Sequence, residues 1–157
     1  MQKKSSNSFV NKSSEILENI QPFMRIPLRK YLERITKLFT ICLLVLFGSV
    51  IKNMATRHSD IDILLVAENL PTDQTECFKK AKITGLGAHF EPHIFSPNEV
   101  RHGIKKLNFF LIEALYSGKA LLCDRSFEKE IRELLNETIK NYSLERTEKG
   151  WIRTIPS

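Results

Sequence analysis

Residues 38–51 run for 14 positions without a charge, and ICLLVLF at residues 41–47 is apolar throughout. Crossing a bilayer as a helix takes about 20 such residues, so this run is a buried element and not a membrane anchor. A continuous apolar run of this length, closed by Gly48, fits a strand buried on both faces. A second strand-like run follows after a loop of small and polar residues. In DIDILLVA, residues 60–67, alternation places Asp60, Asp62, Leu64 and Val66 on one face and Ile61, Ile63 and Leu65 on the other. Both carboxylates therefore point the same way, at the mouth of a core strand.

The remaining elements follow from periodicity and breakers. Residues 1–13 are rich in Ser, Asn and Lys, a composition that cannot offset the entropy of ordering, and are expected to be a flexible polar tail. From Ser14 the pattern turns helical, interrupted by Pro22 and Pro27, and apolar residues recur at three- and four-residue steps from Leu28 to Phe39. TDQTECFKKAKIT predicts a short helix, and Gly85 and Gly87 separate it from a third strand, HFEPHIF. Ser96, Pro97 and Glu99 supply an N-cap, a first-turn proline and a capping-box acid for the next helix. Helical pattern continues over residues 108–117 and Gly118 ends it. Residues 120–123 predict a short edge strand, and an amphipathic helix starts at Ser126 with Phe127, Ile131, Leu134, Leu135 and Ile139 on its apolar side. One domain over residues 14–125, with residues 126–157 as a helix and tail packed on it, suits a chain of 157 residues.

The chain carries 24 Lys and Arg against 18 Asp and Glu, a net charge of +6, which suits phosphate-bearing partners. The basic residues are scattered, so a solvated surface is favoured over a nucleic-acid interface. Cys42, Cys77 and Cys123 are far apart in sequence and odd in number, which argues against a disulfide framework or a paired-cysteine zinc site. With a polar opening segment and no spanning run, the expected location is the cytoplasm.

Chemistry concentrates at Gly48 and Ser49, followed ten residues later by Asp60-Ile61-Asp62. Carboxylates beside ILLV in a core run are costly unless a cation or hydrogen-bond donor meets them. Magnesium takes oxygen ligands and is commonly held by one or two carboxylates together with substrate phosphates. Gly48 permits close approach of backbone to a polyanion, Ser49 offers a hydroxyl and an amide, and a short helix starting there would add its positive end. His58 and Ser59 precede the acids, where they can contact nucleotide or close a local turn. Phe109, Phe110, Leu111, Ile112 and Leu115 read as helix packing in preference to a base-stacking platform, and Trp151 as an anchor of the C-terminal tail onto the domain or a partner.

The segment FGSVIKNMATRHSDIDILLV, residues 47–66, resembles the signature of the minimal nucleotidyltransferases of the DNA polymerase β superfamily. The likeness extends more loosely over residues 28–124, where LIEALYSGKALL resembles the helix-and-strand ending of such small chains. It implies an α/β (α+β) fold with a mixed sheet flanked by helices. It also implies a divalent metal, Mg2+ or Mn2+, a nucleoside triphosphate, and transfer of the monophosphate to a hydroxyl acceptor. By position, Gly48 and Ser49 become the phosphate-binding pair, joined by Lys52 and Ser59 as nucleotide-binding candidates. Asp60 and Asp62 become catalytic metal ligands. Glu91 in HFEPHIF is the third carboxylate in the order the family expects, although aspartate is commoner there. The family also often has a glycine after its basic residue, whereas Lys52 is followed by Asn53.

Two branches of that family fit. One modifies small molecules and carries a further helical domain, for which little chain remains after Asp124. The other pairs with a separately encoded helical protein, as in HEPN/MNT toxin-antitoxin systems, and is the favoured reading, with AMP from ATP as the group moved. The alternative is a catalytically weak or inactive module of the same fold that binds nucleotide, RNA or a partner protein. His89, Glu91 and His93 on alternate strand positions could also begin a zinc site, but no cysteine lies nearby to complete it.

Overall fold

Two largely apolar strands, Thr40–Phe47 and Ile61–Glu68, lie side by side in the sheet, and the two core layers are arranged around them. The computed structural model describes residues 8–154. These are β1 (Phe9–Asn11), α1 (Ser13–Glu18), α2 (Pro22–Leu38), β2 (Thr40–Phe47), β3 (Ile61–Glu68), α3 (Gln74–Ala81), β4 (Phe90–Phe95), α4 (Pro97–Lys105), α5 (Phe109–Ser117), β5 (Lys119–Asp124), α6 (Arg125–Asn141), β6 (Leu144–Thr147) and β7 (Gly150–Arg153). The main sheet has the order β1-β5-β2-β3-β4. All neighbours pair antiparallel except β3 and β4, which are parallel and joined through α3, so the sheet is mixed. No helix among the described residues is long and apolar enough to cross a membrane.

Alternation along β2 and β3 divides the core into two layers. Ile61, Ile63, Leu65, Leu44 and Leu46 pack with α1, α2 and α3 on one side. Leu64, Val66, Leu43 and Val45 pack with α4, α5 and α6 on the other. Each fully buried aliphatic side chain contributes roughly 1.5–3 kcal/mol. A register shift between Ile41 and Leu43 turns both Cys42 and Leu43 toward the second layer. Cys42, Cys77 and Cys123 are all free and buried, and burial pushes the Cys123 thiol up to about 12.

Tyr31 fixes the strand that matters most for the site. It is fully buried, stacks on Phe90 at 4.2 Å between ring centroids, and its hydroxyl donates to the Ala81 carbonyl at 2.8 Å. Burial raises the pKa of this phenol. With Phe90 held under Tyr31, the next residue of β4, Glu91, must face the opposite side of the sheet.

Several expectations need correction. Pro27 does not interrupt the helix but lies buried inside α2. Near the start of a helix its fixed φ is already suitable, and only the bond to the carbonyl four residues earlier is lost. The polar tail expected at residues 1–13 lies outside the described residues up to residue 7. Beyond that, Phe9–Asn11 forms β1, with Phe9 opposite Asp124 and Val10 opposite Cys123. β5 is therefore an interior strand and β1 the edge. The C-terminal segment is not a simple tail, because β6 and β7 form a separate antiparallel hairpin.

Candidate active site

Gly48 sits at the end of β2 with φ +79°, a backbone conformation that side chains disfavour. A Cβ there would fall 2.5 Å from Oδ2 of Asp62. The close approach follows from the ladder, which places Phe47 directly opposite Asp62. Glycine is thus required twice over, for its dihedral and for the room it leaves a carboxylate. The helix expected to start here is only a three-residue 3-10 turn, Gly48–Val50, too short to add an appreciable helix-end field.

The loop between β2 and β3 is pinned from beneath. Val50 and Ala55 are buried, Met54 N–H donates to the Ser49 carbonyl at 2.9 Å, and the Gln21 amide donates to the Ala55 carbonyl at 2.7 Å. Asn53 has φ +55°, the left-handed conformation a glycine would take at this turn, so its presence costs little backbone strain. Lys52 is exposed beside it. Ser59, expected to contact nucleotide, has its hydroxyl engaged locally. Ser59 Oγ accepts from Thr56 N–H at 2.8 Å and closes the turn that delivers Asp60.

Asp62 and Glu91 are register partners on the parallel strands β3 and β4. They share a face, on strands about 4.8 Å apart. Asp60 lies just before β3 and is exposed. Asp60 and Glu91 have no side-chain hydrogen bond or ion pair with other described residues. Among the described residues no three His, Cys, Asp or Glu side chains are grouped closely enough to hold a metal ion unaided. Asp60 precedes the ladder and is not held by it, whereas Asp62 and Glu91 are.

Sequence reasoning missed an aromatic cluster against this face. His93 Nε2 lies 3.8 Å from Asp62 Oδ1, and its ring packs 4.7 Å from Phe110 and 5.6 Å from Phe47. His89 lies before β4 and is exposed, so the two histidines do not form a zinc pair with Glu91. Leu111, Ile112 and Leu115 are buried as expected, but Phe109 and Phe110 are each 40% exposed.

Beyond Phe110, the β6–β7 hairpin is tied to α5 through Glu113. Arg146 donates two hydrogen bonds to this carboxylate at 2.8 and 2.9 Å, and the Trp151 indole N–H donates at 3.0 Å. Trp151 also meets the Tyr116 ring edge-on at 5.0 Å. The hydrogen bonds from Arg146 hold the Glu113 carboxyl below the usual carboxylate range, against the opposing effect of burial. A depressed carboxyl contributes stability above its unfolded pKa and loses it as pH falls through the folded one. Acid should therefore release the hairpin before the domain unfolds. Emission of Trp151, the sole tryptophan, should shift red in acid while far-ultraviolet ellipticity holds, and Glu113→Gln should show the shift already at neutral pH. A single transition shared by both signals in the parent protein would show that Glu113 does not govern docking.

The family described as Polymerase beta, Nucleotidyltransferase matches residues 29–128. The chain is 29% identical over 104 residues to "Putative protein adenylyltransferase MJ1305" of Methanocaldococcus jannaschii, covering 62% of this chain and 69% of the relative. Two solved structures are similar at low identity. One is a toxin-antitoxin with AMP-PNP, at 18% identity, 74% of this chain and 90% of that one, with a TM-score of 0.47. The other is a mutant of the toxin-antitoxin MntA-HpeT, at 15% identity, 73% and 91% coverage, with a TM-score of 0.48. The family match takes in β2 to β5 together with the whole carboxylate face, well over half of the chain, and the protein belongs to the polymerase beta nucleotidyltransferase family.

Proposed function

We propose that this nucleotidyltransferase moves AMP from ATP onto a hydroxyl of a partner protein, using Asp60, Asp62 and Glu91 as its carboxylates. The observation that carries the reading is Asp62, seated against Gly48 and in register with Glu91 on the next strand. Gly48 leaves backbone open to a phosphate, Ser49 supplies a hydroxyl and an amide, and Lys52 supplies a positive charge on the same loop. The name of the archaeal relative, a protein adenylyltransferase, supports both the nucleotide and the class of acceptor. In the reaction the acceptor oxygen bonds to the α-phosphorus as the bond to pyrophosphate breaks.

The residues fit a hard divalent cation, Mg2+ or Mn2+. Asp60, Asp62 and Glu91 offer only oxygen donors, and among the described residues the carboxylate of Asp62 accepts no hydrogen bond, with His93 Nε2 at 3.8 Å. Asp60 and Asp62 would hold the ion with the triphosphate, and Glu91 would complete the set. Bound there, the ion would polarise the phosphoryl oxygens and offset charge on the leaving pyrophosphate. A site that relies on substrate phosphates to complete its ligands need not be assembled beforehand.

Magnesium and ATP should therefore bind together. Calorimetry should give ATP affinity at least tenfold higher with magnesium than without it, and that difference should vanish when Asp60→Asn and Asp62→Asn are combined. Equal ATP affinity with and without magnesium in the parent protein would remove the proposed site.

A further inference from the structure

Next to the carboxylate face runs a groove of about 410 Å3, lined by Lys52, Phe109, Phe110, Glu113, Arg146 and Trp151 among others. We propose that this groove seats the base of the bound nucleotide, with Phe109 as the stacking face. The inference rests on the proposed function, because Lys52 belongs both to the phosphate loop and to the groove wall. A triphosphate held by that loop can extend its nucleoside into the groove. Phe110 links the two spaces physically, packing against His93 and Phe47, the residue directly before Gly48.

Three observations favour a base as the occupant. The volume lies in the range of small-ligand sites, about 300–1,000 Å3. Phe109 and Phe110 are 40% exposed at the start of α5, whereas Leu111 and Ile112 beside them are fully buried; Phe110 packs on Phe47 and His93, and Phe109 has no ring partner among the described residues. Several of the polar groups that line the groove are already bonded to one another. Glu113 is taken by Arg146 and Trp151, and the Thr147 hydroxyl donates to the Gly150 carbonyl. What the groove offers a ligand is aromatic surface, flanked by the positive charge of Lys52 on the loop and the carboxylate of Glu148 at the hairpin turn. Every base has a π face, and stacking on an aromatic side chain contributes appreciably to binding.

Inorganic tripolyphosphate separates the base from the phosphates. With magnesium present, the parent protein, Phe109→Leu and Phe109→Trp are titrated with ATP and with tripolyphosphate, by calorimetry and by Trp151 emission. Trp emission is read only in the parent and the leucine variant, where Trp151 is the sole reporter. Phe109→Leu should weaken ATP roughly tenfold, Phe109→Trp should retain or improve it, and tripolyphosphate should be unaffected by either. ATP should change Trp151 emission in the parent, and tripolyphosphate should not. Unchanged ATP affinity in Phe109→Leu with a silent Trp151 would place the base elsewhere and overturn the proposal. Equal weakening of both ligands would assign Phe109 to the phosphate loop and overturn it too. A Trp151 response to a protein acceptor but not to ATP would give the groove to the acceptor. If neither ligand binds the parent protein, the nucleotide reading itself fails, a result distinct from all of these.

Discussion

Asp62→Asn should leave a folded protein whose nucleotidyl transfer has dropped by about 10³-fold, roughly 4 kcal/mol of transition-state stabilisation. The substitution keeps the side-chain volume and removes one negative charge. Its cost to the fold should be small, because the side chain is 31% exposed at the end of the sheet and its contact with His93 Nε2 is long, at 3.8 Å. Relief of an unpaired carboxylate can even stabilise slightly, so the melting temperature should hold or rise. Transfer depends on that carboxylate differently. An amide places a donor where the proposed site needs an anionic oxygen, against a backbone that has no Cβ to separate the two. Labelled-nucleotide transfer to a partner protein, measured beside a thermal melt, would check both halves. Transfer within a few-fold of the parent in a properly folded Asp62→Asn protein would eliminate Asp62 as a catalytic carboxylate.

How much of this was legible in the chain depended on the range of the interactions. ICLLVLF and DIDILLVA announced themselves as core strands because burial on both faces leaves a continuous apolar run, and Ser96 with Glu99 announced a helix start by local hydrogen bonding alone. The two-residue period also placed Asp62 on the face of Leu64 and Val66 before any partner strand was known, whereas Asp60 falls just outside β3. What alternation could not supply was the ladder. That Phe47 opposes Asp62 and that Glu91 aligns with Asp62 are facts of pairing, and a slip by one residue would have turned Glu91 to the Tyr31 side. β1 was hidden for the same reason, since Phe9 pairs with Asp124 across most of the chain and its polar surroundings carry no strand pattern. The C-terminal hairpin turns through Glu148 and Lys149, which lack the glycine or asparagine that usually marks a two-residue turn. Its wall on the groove, and with it the exposed aromatic pair on α5, could not be foreseen from residue order.

Gly48→Ala should inactivate nearly as severely as loss of the carboxylate, and a second glycine provides an internal control. Gly48 and Gly85 share a φ of +79°, so an alanine at either position meets the same kind of backbone strain, about 1–2 kcal/mol. They differ in what the new methyl group meets. At Gly85 nothing lies within 4 Å, whereas at Gly48 the methyl carbon would stand 2.5 Å from Asp62 Oδ2 and 3.4 Å from its Cγ. The carboxylate must swing away or the turn must open, and either moves Asp62 relative to the loop that carries Ser49 and Lys52. A misplacement of about 1 Å at a reacting centre can cost on the order of 10²-fold. Gly85→Ala should therefore lose only the backbone cost in urea and Gly48→Ala at least as much, while transfer falls by about 10²-fold or more in Gly48→Ala and stays within a few-fold of the parent in Gly85→Ala. The comparison isolates position from strain, because the two substitutions share the backbone cost and only one touches the carboxylate. Equal transfer by the two variants would mean that the seating of Asp62 against Gly48 is not what the reaction requires, and the site would have to be sought away from the end of β2.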